Sequence, residues 1–354
     1  MKVHALFLCA AACLIAACVS NPASASPATP MYWPTNGWRT SAPSAQGVNG
    51  AELDAAIEAA LKKRLALHGV LVIRHGYIVK ERYFAPYEVS TAHELYSCTK
   101  SFVSALAGIA LQKGYLTGVT APVLGFFPDR KFAQVDARKE AMKIEDLLTM
   151  SSGLAWVEGD STYNQMYRSS RDWVKFVLDL PMTAPPGTRF LYCSGNSIVL
   201  SAIIQQASGK DMYEFARENL FGPLGIREPR WERDPSGLPI GGWGLQLPPR
   251  EMAKLGYLYL HDGAWDEKQV VPAPWVRGST TPHIKADDRL SYGYQWWIDP
   301  SIPMYAALGR FGQSIFVVTD QDLVVVFTGA IGSSGDKESE LLLRRIVKAC
   351  TPGA

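Results

Sequence analysis

The chain has 354 residues, of which 47% are hydrophobic and 19% charged, a composition typical of a globular protein with one large domain or two smaller ones. Its formal net charge is only +2, and it contains no block of basic residues. These features disfavour nucleic acids and anionic membrane surfaces as partners, and they favour chemistry on a small molecule.

The first residues have the pattern of an export signal. Lys2 precedes an apolar run, residues 5–17, which is too short for a membrane-spanning helix but suits the hydrophobic part of a signal peptide. We therefore expect residues 1–17 to be a signal peptide and the protein to be exported.

Two processing sites compete at the end of this run. The sequence IAAC at residues 15–18 resembles a bacterial lipoprotein box, in which Cys18 is lipidated, and Val19 behind it suggests sorting to the outer membrane. The sequence ASA at residues 23–25 instead fits cleavage to a soluble periplasmic or secreted product. We favour a periplasmic lipoprotein that touches the outer membrane only through its lipid. Residues 18–46, rich in proline, serine and alanine, are then the lipid attachment and a flexible tether.

The cysteines and histidines suggest neither disulfides nor a metal site. Besides Cys18, the mature chain has Cys98, Cys193 and Cys350, an odd number that does not suit a disulfide framework. There is no Cys-x-x-Cys, and the histidines after the leader lack the spacing of metal ligands. We therefore expect no metal and no cofactor.

Next along the chain, the patterns predict a helix, a hairpin and a second helix. The segment AELDAAIEAALKKRL after Gly50 has apolar residues at helical spacing, with acids early and bases late. Two strand-like runs flank His75-Gly76 within residues 69–84, as in a β-hairpin. Residues 97–113 then predict a helix that ends at Gly114.

The remaining chain predicts a helical lobe followed by more strands. Residues 117–235 are mostly helical in pattern, whereas the last third has the strand-like runs SYGYQWWI, SIFVVTD and LVVVFTG and ends with the helix KESELLLRRIVKA. An antiparallel sheet completed by the first hairpin and flanked by the terminal helices would explain why strands lie at both ends. We expect an α/β (α+β) fold with a cleft between the sheet and the all-helical lobe.

A candidate for chemistry is Ser97-Cys98-Thr99-Lys100. Positions i and i+3 of a helix share a face, so the Lys100 amine can reach the Ser97 hydroxyl. A lysine whose pKa is lowered by burial can accept the serine proton, and the N–H groups at a helix start can bind an oxyanion. Alone, the pattern also fits a plain helix cap.

Longer motifs around this pattern resemble a known superfamily. Over about residues 50–347 the chain resembles the serine β-lactamase and penicillin-binding-protein superfamily, in particular its class C-like branch of esterases and 6-aminohexanoate-dimer hydrolases. The motifs are HELYSCTKSFVSALAGIALQKGYL, IEDLLTMSSGLAW, PGTRFLYCSGNSIVLSAIIQQASGK, GWGLQLPPREMAKLGYLYLHDGAWDEKQVVPAPWV, YGYQWW and GRFGQSIFVV. The resemblance implies a β-lactamase-like serine hydrolase domain over residues 47–354, with its helical lobe at about residues 117–235.

The resemblance assigns roles to three residues. Ser97 matches the nucleophile, Lys100 matches its lysine, and Tyr192 matches the tyrosine that serves this branch as general base and proton shuttle. A cationic lysine beside a phenol stabilises the phenolate, which suits such a role. The alternative for Tyr192 is an aromatic residue of the core.

The second motif of the superfamily is altered in this chain. The family continues its tyrosine as Tyr-x-Asn, whereas here Ser194 follows Cys193 and Asn196 lies two places too late. Ser194 can still offer a hydrogen bond to a substrate, or it can be a turn residue.

The third motif, Lys-Thr-Gly, matches residues 307–310 and has lost its cation. Gly309 would let the backbone approach the substrate, and the N–H of Arg310 would form the oxyanion hole with that of Ser97. The Arg310 side chain either restores an anion site or faces solvent.

Aromatic and acidic residues supply weaker candidates. Glu158, Tyr163 and Tyr167 lie where members of the branch contact their substrates. Trp243 and the pair Trp296-Trp297 either line an apolar cleft or belong to the core.

Together these features predict a serine hydrolase that acts on small esters or amides through an acyl-Ser97 intermediate. One alternative is a β-lactamase or D-amino peptidase acting on peptidoglycan-like substrates. Another is a lipoprotein without activity that binds peptidoglycan or a partner. A Ser-His-Asp enzyme is disfavoured because the chain lacks a Gly-x-Ser-x-Gly elbow.

Overall fold

The computed structural model describes residues 32–351. Strands in this part of the chain come mainly from its two ends. In chain order they are β1 (Arg39–Thr40), β2 (Leu67–Arg74), β3 (Tyr77–Tyr83), β4 (His93–Glu94), β5 (Arg230–Trp231), β6 (Leu245–Leu247), β7 (Ala264–Trp265), β8 (Lys268–Gln269), β9 (Ile284–Lys285), β10 (Ser291–Tyr292), β11 (Trp297–Asp299), β12 (Met304–Leu308), β13 (Ser314–Val318) and β14 (Leu323–Gly329).

Helices fill most of the middle of the chain and flank the sheet at both ends. They are α1 (Gly50–Lys62), α2 (Thr99–Gln112), α3 (Ala137–Glu140), α4 (Ile144–Leu148), α5 (Ser161–Ser169), α6 (Trp173–Asp179), α7 (Ser194–Ser208), α8 (Met212–Ala216), α9 (Pro249–Leu260), α10 (Ala273–Ser279) and α11 (Asp336–Ala349). Helix α8 continues into a π-helical turn, Arg217–Phe221. The predicted helices after Gly50 and Ser97, and the one that closes the chain, are present as α1, α2 and α11.

Within the described residues, one nine-stranded sheet has the order β1-β3-β2-β14-β13-β12-β11-β10-β9. Neighbouring strands of this sheet are antiparallel except β1, which is parallel to β3. The hairpin β2–β3 lies beside β14, so the first hairpin completes a sheet built by the last third of the chain. The prediction of an antiparallel sheet made from both chain ends is confirmed.

The sheet has a helical layer on each face. Alternate residues of β14 point in opposite directions, as a pleated strand requires: Val325 and Phe327 join the core under α1 and α11, and Val324 and Val326 join the larger core under α9 and the helical region. Every residue of β14 is buried. This layering confirms the expected α/β (α+β) fold, in which an antiparallel sheet with terminal helices is accompanied by a helical region.

Helix α1 shows how local sequence specifies these layers. Its buried residues Leu53, Ala56, Ile57 and Ala60 follow the i, i+3, i+4, i+7 spacing of one helix face. The Asn49 side chain accepts a hydrogen bond from the Glu52 N–H at 3.1 Å and caps the helix start. The helix therefore forms where its apolar face can lie on the sheet.

The segment before α1 is part of the folded domain. The Trp33 ring lies 5.8 Å from that of Tyr257, and the Trp38 indole N–H donates to the Arg250 carbonyl at 3.0 Å. The expectation of a flexible tether up to residue 46 is therefore corrected for residues 33–46, because two half-buried tryptophans pack their rings on α9. The predicted signal peptide, Cys18 and the rest of the tether lie outside the described residues.

No helix described between residues 32 and 351 combines the length and the apolar character that crossing a membrane demands.

Candidate active site

Ser97 lies in a short 3-10 turn, Tyr96–Cys98, that leads directly into α2. Tyr96 has a left-handed backbone with φ of +47°, a conformation that costs a non-glycine residue about 1 kcal/mol or more. Just before the turn, the Leu95 N–H donates to the Leu245 carbonyl of β6 at 2.8 Å. The nucleophile candidate therefore lies on a bent, anchored segment and not within a regular helix.

The opposite side of this turn is tied to the main sheet. The buried Cys98 thiol donates to the carbonyls of Ala307 at 3.4 Å and Gln313 at 3.3 Å, which flank the turn between β12 and β13. Cys98, Cys193 and Cys350 are all buried free thiols. These contacts of the Cys98 thiol hold the turn, and with it Ser97, against the sheet. The two neighbouring side chains point in different directions.

Lys100 contacts Ser97 as the spacing predicts. The side chain is 1% exposed, and its Nζ donates to Ser97 Oγ at 2.8 Å and to the Gly242 carbonyl at 2.8 Å. Burial lowers the pKa of Lys100 to about 8, although the negative charge of Glu158 opposes part of this shift. An appreciable fraction of Lys100 is therefore a neutral amine near pH 8, able to accept the Ser97 proton.

Tyr192 lies beside this pair. The Lys100 Nζ is 5.0 Å from the centroid of the Tyr192 ring, and that ring stacks on Trp297 at 5.6 Å. Burial raises the pKa of Tyr192, and a hydrogen bond with Ser97 offsets only part of the rise. The expected stabilised phenolate is therefore corrected: at neutral pH Tyr192 holds its proton, because the effect of lost hydration on its pKa outweighs that of the hydrogen bond with Ser97.

Ser97 and Tyr192 open into a cleft of about 340 Å³. Gly309 and Arg310 line the same cleft, so the structure brings together the residues that the altered third motif suggested. The remaining lining residues are Asp287, Leu290, Trp297 and Leu308.

Gly309 allows the end of β12 to approach the nucleophile turn. A Cβ atom at this position would lie 2.3 Å from the Leu95 carbonyl oxygen and 3.3 Å from the Cys98 nitrogen. The Gly309 N–H donates to the Gln313 carbonyl at 2.7 Å. Arg310 follows as an exposed residue whose guanidinium lies 5.1 Å from the Phe311 ring centroid.

Ser194 has a different place from the one that its motif suggested. It is 1% exposed at the start of α7, where its N–H and hydroxyl donate to the Glu158 carboxylate at 2.8 and 2.7 Å. A third donor to Glu158 is the indole N–H of Trp156, at 2.6 Å. The expected contact of Ser194 with substrate is therefore corrected, because its hydroxyl is buried and already bound.

In the contact between Ser194 and Glu158, Glu158 is the residue that brings a charge to the site. Its carboxylate lies at the positive end of α7, where a negative charge is favourable. Asn196, which follows two residues later than Ser194, is buried and directs its amide towards the Met150 sulfur at 3.9 Å. It does not take over the position of the missing motif asparagine.

The aromatic candidates divide between cleft and core. Trp297 lines the cleft, whereas Trp296 is 0% exposed and Trp243 is 8% exposed within the large core. Tyr163 and Tyr167 lie on α5, where their rings stack at 6.1 Å and Tyr163 packs on Trp243 at 5.2 Å. Of these five residues, Trp297 has the clearest place in a substrate site.

Sequence reasoning missed several parts of the site. The Gly242 carbonyl that accepts from Lys100 carries no side-chain signal, and Asp287 and Leu290 reach the cleft from a loop before β10. In the sequence, the Gly241-Gly242 pair is the local sign that the backbone makes a close contact here. The structure shows this contact: a Cβ on Gly241 would lie 1.9 Å from the Ser197 carbonyl oxygen. Glycines in such a pair permit close backbone approach.

The fold and this site define a class of protein. An antiparallel sheet between terminal helices and a helical region, with the Ser97 turn beside the end of β12, is the architecture of a β-lactamase-fold hydrolase. The chain belongs to the β-lactamase family, because the family model described as Beta-lactamase matches residues 53–346.

Individual proteins similar to this chain share less than 30% of its residues. The chain is similar to the 6-aminohexanoate-dimer hydrolase of Paenarthrobacter ureafaciens, with 23% identity over 72% of this chain and 70% of that protein. It is also similar to Esterase EstB of Burkholderia gladioli, with 28% identity over 50% of each protein. Among solved structures, the hydrolase EstCE1 superposes with a TM-score of 0.72 at 17% identity, covering 86% of this chain and 99% of that one.

Proposed function

We propose that the protein is a serine hydrolase that cleaves small esters or amides through an acyl-Ser97 intermediate. One observation carries this proposal: a buried lysine with a lowered pKa donates to the hydroxyl of Ser97 at 2.8 Å, beside an open cleft. A lysine whose pKa lies near neutrality and whose amine contacts a serine hydroxyl can act as the base for that hydroxyl.

The geometry supports a specific order of proton transfers. Neutral Lys100 accepts the Ser97 proton while Oγ attacks the substrate carbonyl carbon, and the N–H groups of Ser97 and Arg310 receive the oxyanion. Tyr192, protonated at rest, donates its proton to the leaving group and is reprotonated by Lys100. Water then repeats these steps on the acyl-Ser97 ester and releases the acid.

Esters and small amides are favoured over β-lactams as substrates. The lysine of the third motif is replaced at residues 307–310, so the cation that would bind the carboxylate of a penicillin or a peptide is absent from that motif. The hydroxyl of Ser194, which stands where the motif asparagine would be, is bound to Glu158. The relatives described as Esterase EstB and as a 6-aminohexanoate-dimer hydrolase support the same preference.

The test is labelling by a fluorophosphonate together with a substrate panel. We expect the wild type to be labelled and to hydrolyse p-nitrophenyl acetate, and we expect Ser97→Ala to lose both properties by about a thousandfold or more. Ser208→Ala, about 20 Å along α7 from its start, is the matched control and should keep them.

The panel also contains linear amides, D-amino peptides and nitrocefin. A higher kcat/KM for nitrocefin than for the ester would contradict the substrate preference. Absence of any labelling in the wild type would instead favour a binding lipoprotein.

We also propose that the protein is exported as a periplasmic lipoprotein attached through Cys18. Its support is the leader pattern of residues 5–17 and the IAAC box.

A further inference from the structure

A second and larger cavity adjoins the Ser97 cleft. It has a volume of about 760 Å³ and lies between the sheet at β11–β13 and helix α11. We call it the side groove, defined by Met304, Ala306, Leu308, Phe316, Ser339 and Leu343. The side groove and the cleft share the lining residues Asp287, Leu290, Trp297, Leu308, Gly309 and Arg310. The two cavities therefore adjoin along these six residues.

Small side chains leave the side groove open. Ala306 is paired across the sheet with Trp297 on one side and Phe316 on the other, so a methyl group lies between two large rings. Ser339 contributes a short side chain from α11. The side chains of Ala306 and Ser339 are too small to fill the space between the sheet and α11. A mostly apolar channel therefore remains between them.

Ion pairs connect the walls of the side groove. Glu340 of α11 accepts from Arg289 at 2.7 Å and from Arg344 at 2.9 Å, and Arg344 also reaches Asp299 of β11 at 3.3 Å. These four residues balance two positive and two negative charges. The side groove thus offers apolar contact along its floor and little net charge at this rim, which suits an uncharged chain better than an ionic ligand.

We propose that the side groove binds an aliphatic chain of the ester substrate, so that among small esters the enzyme prefers those with longer chains to those with short ones. This proposal rests on the proposed function. The volume of the side groove lies within the range of ligand pockets, and the lining residues that it shares with the cleft, Leu308 and Gly309 among them, bring one end of the side groove close to Ser97. Each methylene that leaves water for the side groove should raise kcat/KM by up to about fourfold.

The experiment measures kcat/KM along two ester series below their critical micelle concentrations. One series varies the acyl chain of p-nitrophenyl esters from acetate to decanoate, and the other varies the alcohol of alkyl acetates. Ser339→Phe places a ring in the side groove from α11. Gly332→Leu is the second filling variant, because a Cβ on that groove-lining glycine meets no atom within 4 Å.

Leu341→Phe is the matched control, since Leu341 is 41% exposed on the same helix and does not line the side groove. We expect the wild type and the control to gain rate with chain length in one series, and each folded filling variant to lose most of that gain. A flat chain-length dependence in both series, with p-nitrophenyl acetate still hydrolysed, would overturn this proposal and leave the proposed function intact.

Binding separates the two proposals when hydrolysis fails. Ser97→Ala should still bind cis-parinaric acid, a fatty acid whose fluorescence rises in apolar sites, and the double variant Ser97→Ala/Ser339→Phe should bind it at least tenfold more weakly. If the wild type hydrolyses neither esters nor amides, the proposed function fails while this binding still supports the side groove. Equal binding by the single and the double variant would overturn the chain site.

Discussion

Glu158 links the stability of a helix to the protonation of the site. Its carboxylate accepts from the backbone and hydroxyl of Ser194, at the N-terminus of α7, and its charge raises the pKa of Lys100 against the effect of burial. One side chain therefore holds the second-motif segment in place and sets how much Lys100 is neutral at a given pH.

We expect Glu158→Gln to shift the pH dependence of the reaction. In the free enzyme Lys100 must be neutral to accept a proton, so kcat/KM should rise with pH around the pKa of about 8. Removing the Glu158 charge lowers the pKa of Lys100 further, so the midpoint of this rise should move to lower pH. The measurement is a pH profile of kcat/KM with p-nitrophenyl acetate.

A second acid at a helix start provides the control. Glu52 lies in the first turn of α1, so Glu52→Gln should leave the midpoint where it is in the wild type. Both variants should lose up to about 1 kcal/mol of stability through the helix dipole. An unmoved midpoint in Glu158→Gln would mean that another group controls the profile.

At the scale of elements, the site depends on one contact between two turns. The turn before α2 contains Tyr96, and the turn after β12 contains Phe311, which has φ of +60°. Their rings meet edge to face with centroids 5.3 Å apart. Tyr96 and Phe311, both with a left-handed backbone, thus pack on each other. They are the neighbours of Ser97 and Arg310, whose N–H groups we propose as the donors to the oxyanion.

Gly309→Ala should damage catalysis more than folding. The new Cβ would collide with the Leu95 carbonyl at 2.3 Å, and a shift of about 1 Å between the turns costs up to about a hundredfold in kcat. The strain should lower the unfolding free energy by about 1–3 kcal/mol. The measurements are kcat for p-nitrophenyl acetate and thermal unfolding.

Gly125→Ala is the comparison, because an added Cβ there meets no atom within 4 Å. This variant should match the wild type in both measurements. Full activity in Gly309→Ala would show that the two turns do not need their close approach.

The elements that the sequence predicts are those with a strong local period. Helix α1, the hairpin β2–β3 and helix α11 follow from apolar spacing alone, and the contact of Lys100 with Ser97 follows from their spacing of three residues across the start of α2. The contact of Lys100 with Gly242 joins positions 142 residues apart, which no local pattern encodes. Burial is equally non-local, so the raised pKa of Tyr192 and the buried hydroxyl of Ser194 required the folded chain.

At the scale of the whole molecule, the folded domain begins earlier than composition suggests. Proline, serine and alanine predict a tether up to residue 46, but the two tryptophans at positions 33 and 38 dock the second half of that segment on α9. Composition describes an average over the segment, whereas docking depends on single large side chains.

Lipidation can be tested on the full chain in a Gram-negative host. We expect the wild type to fractionate with the outer membrane, because acyl chains on Cys18 bury many methylenes in the bilayer, and we expect Cys18→Ala to lose that association. Cys13→Ala, which changes a cysteine outside the IAAC box, should behave as the wild type. Recovery of the wild type as a soluble protein would favour cleavage after residues 23–25.

Burying Lys100 has a cost in folding stability that bears on which residues can stand at this position. Lowering its pKa from 10.5 to about 8 corresponds to about 3 kcal/mol of lost stability at neutral pH, which returns as pH rises from 8 to 10.5. That loss is large beside a typical folding free energy of about 5–15 kcal/mol. A lineage that kept this fold only to bind a partner would gain stability by exchanging the lysine for an apolar residue. The proposed role of Lys100 as the base for Ser97 would account for a lysine at this position in the core despite its cost in stability.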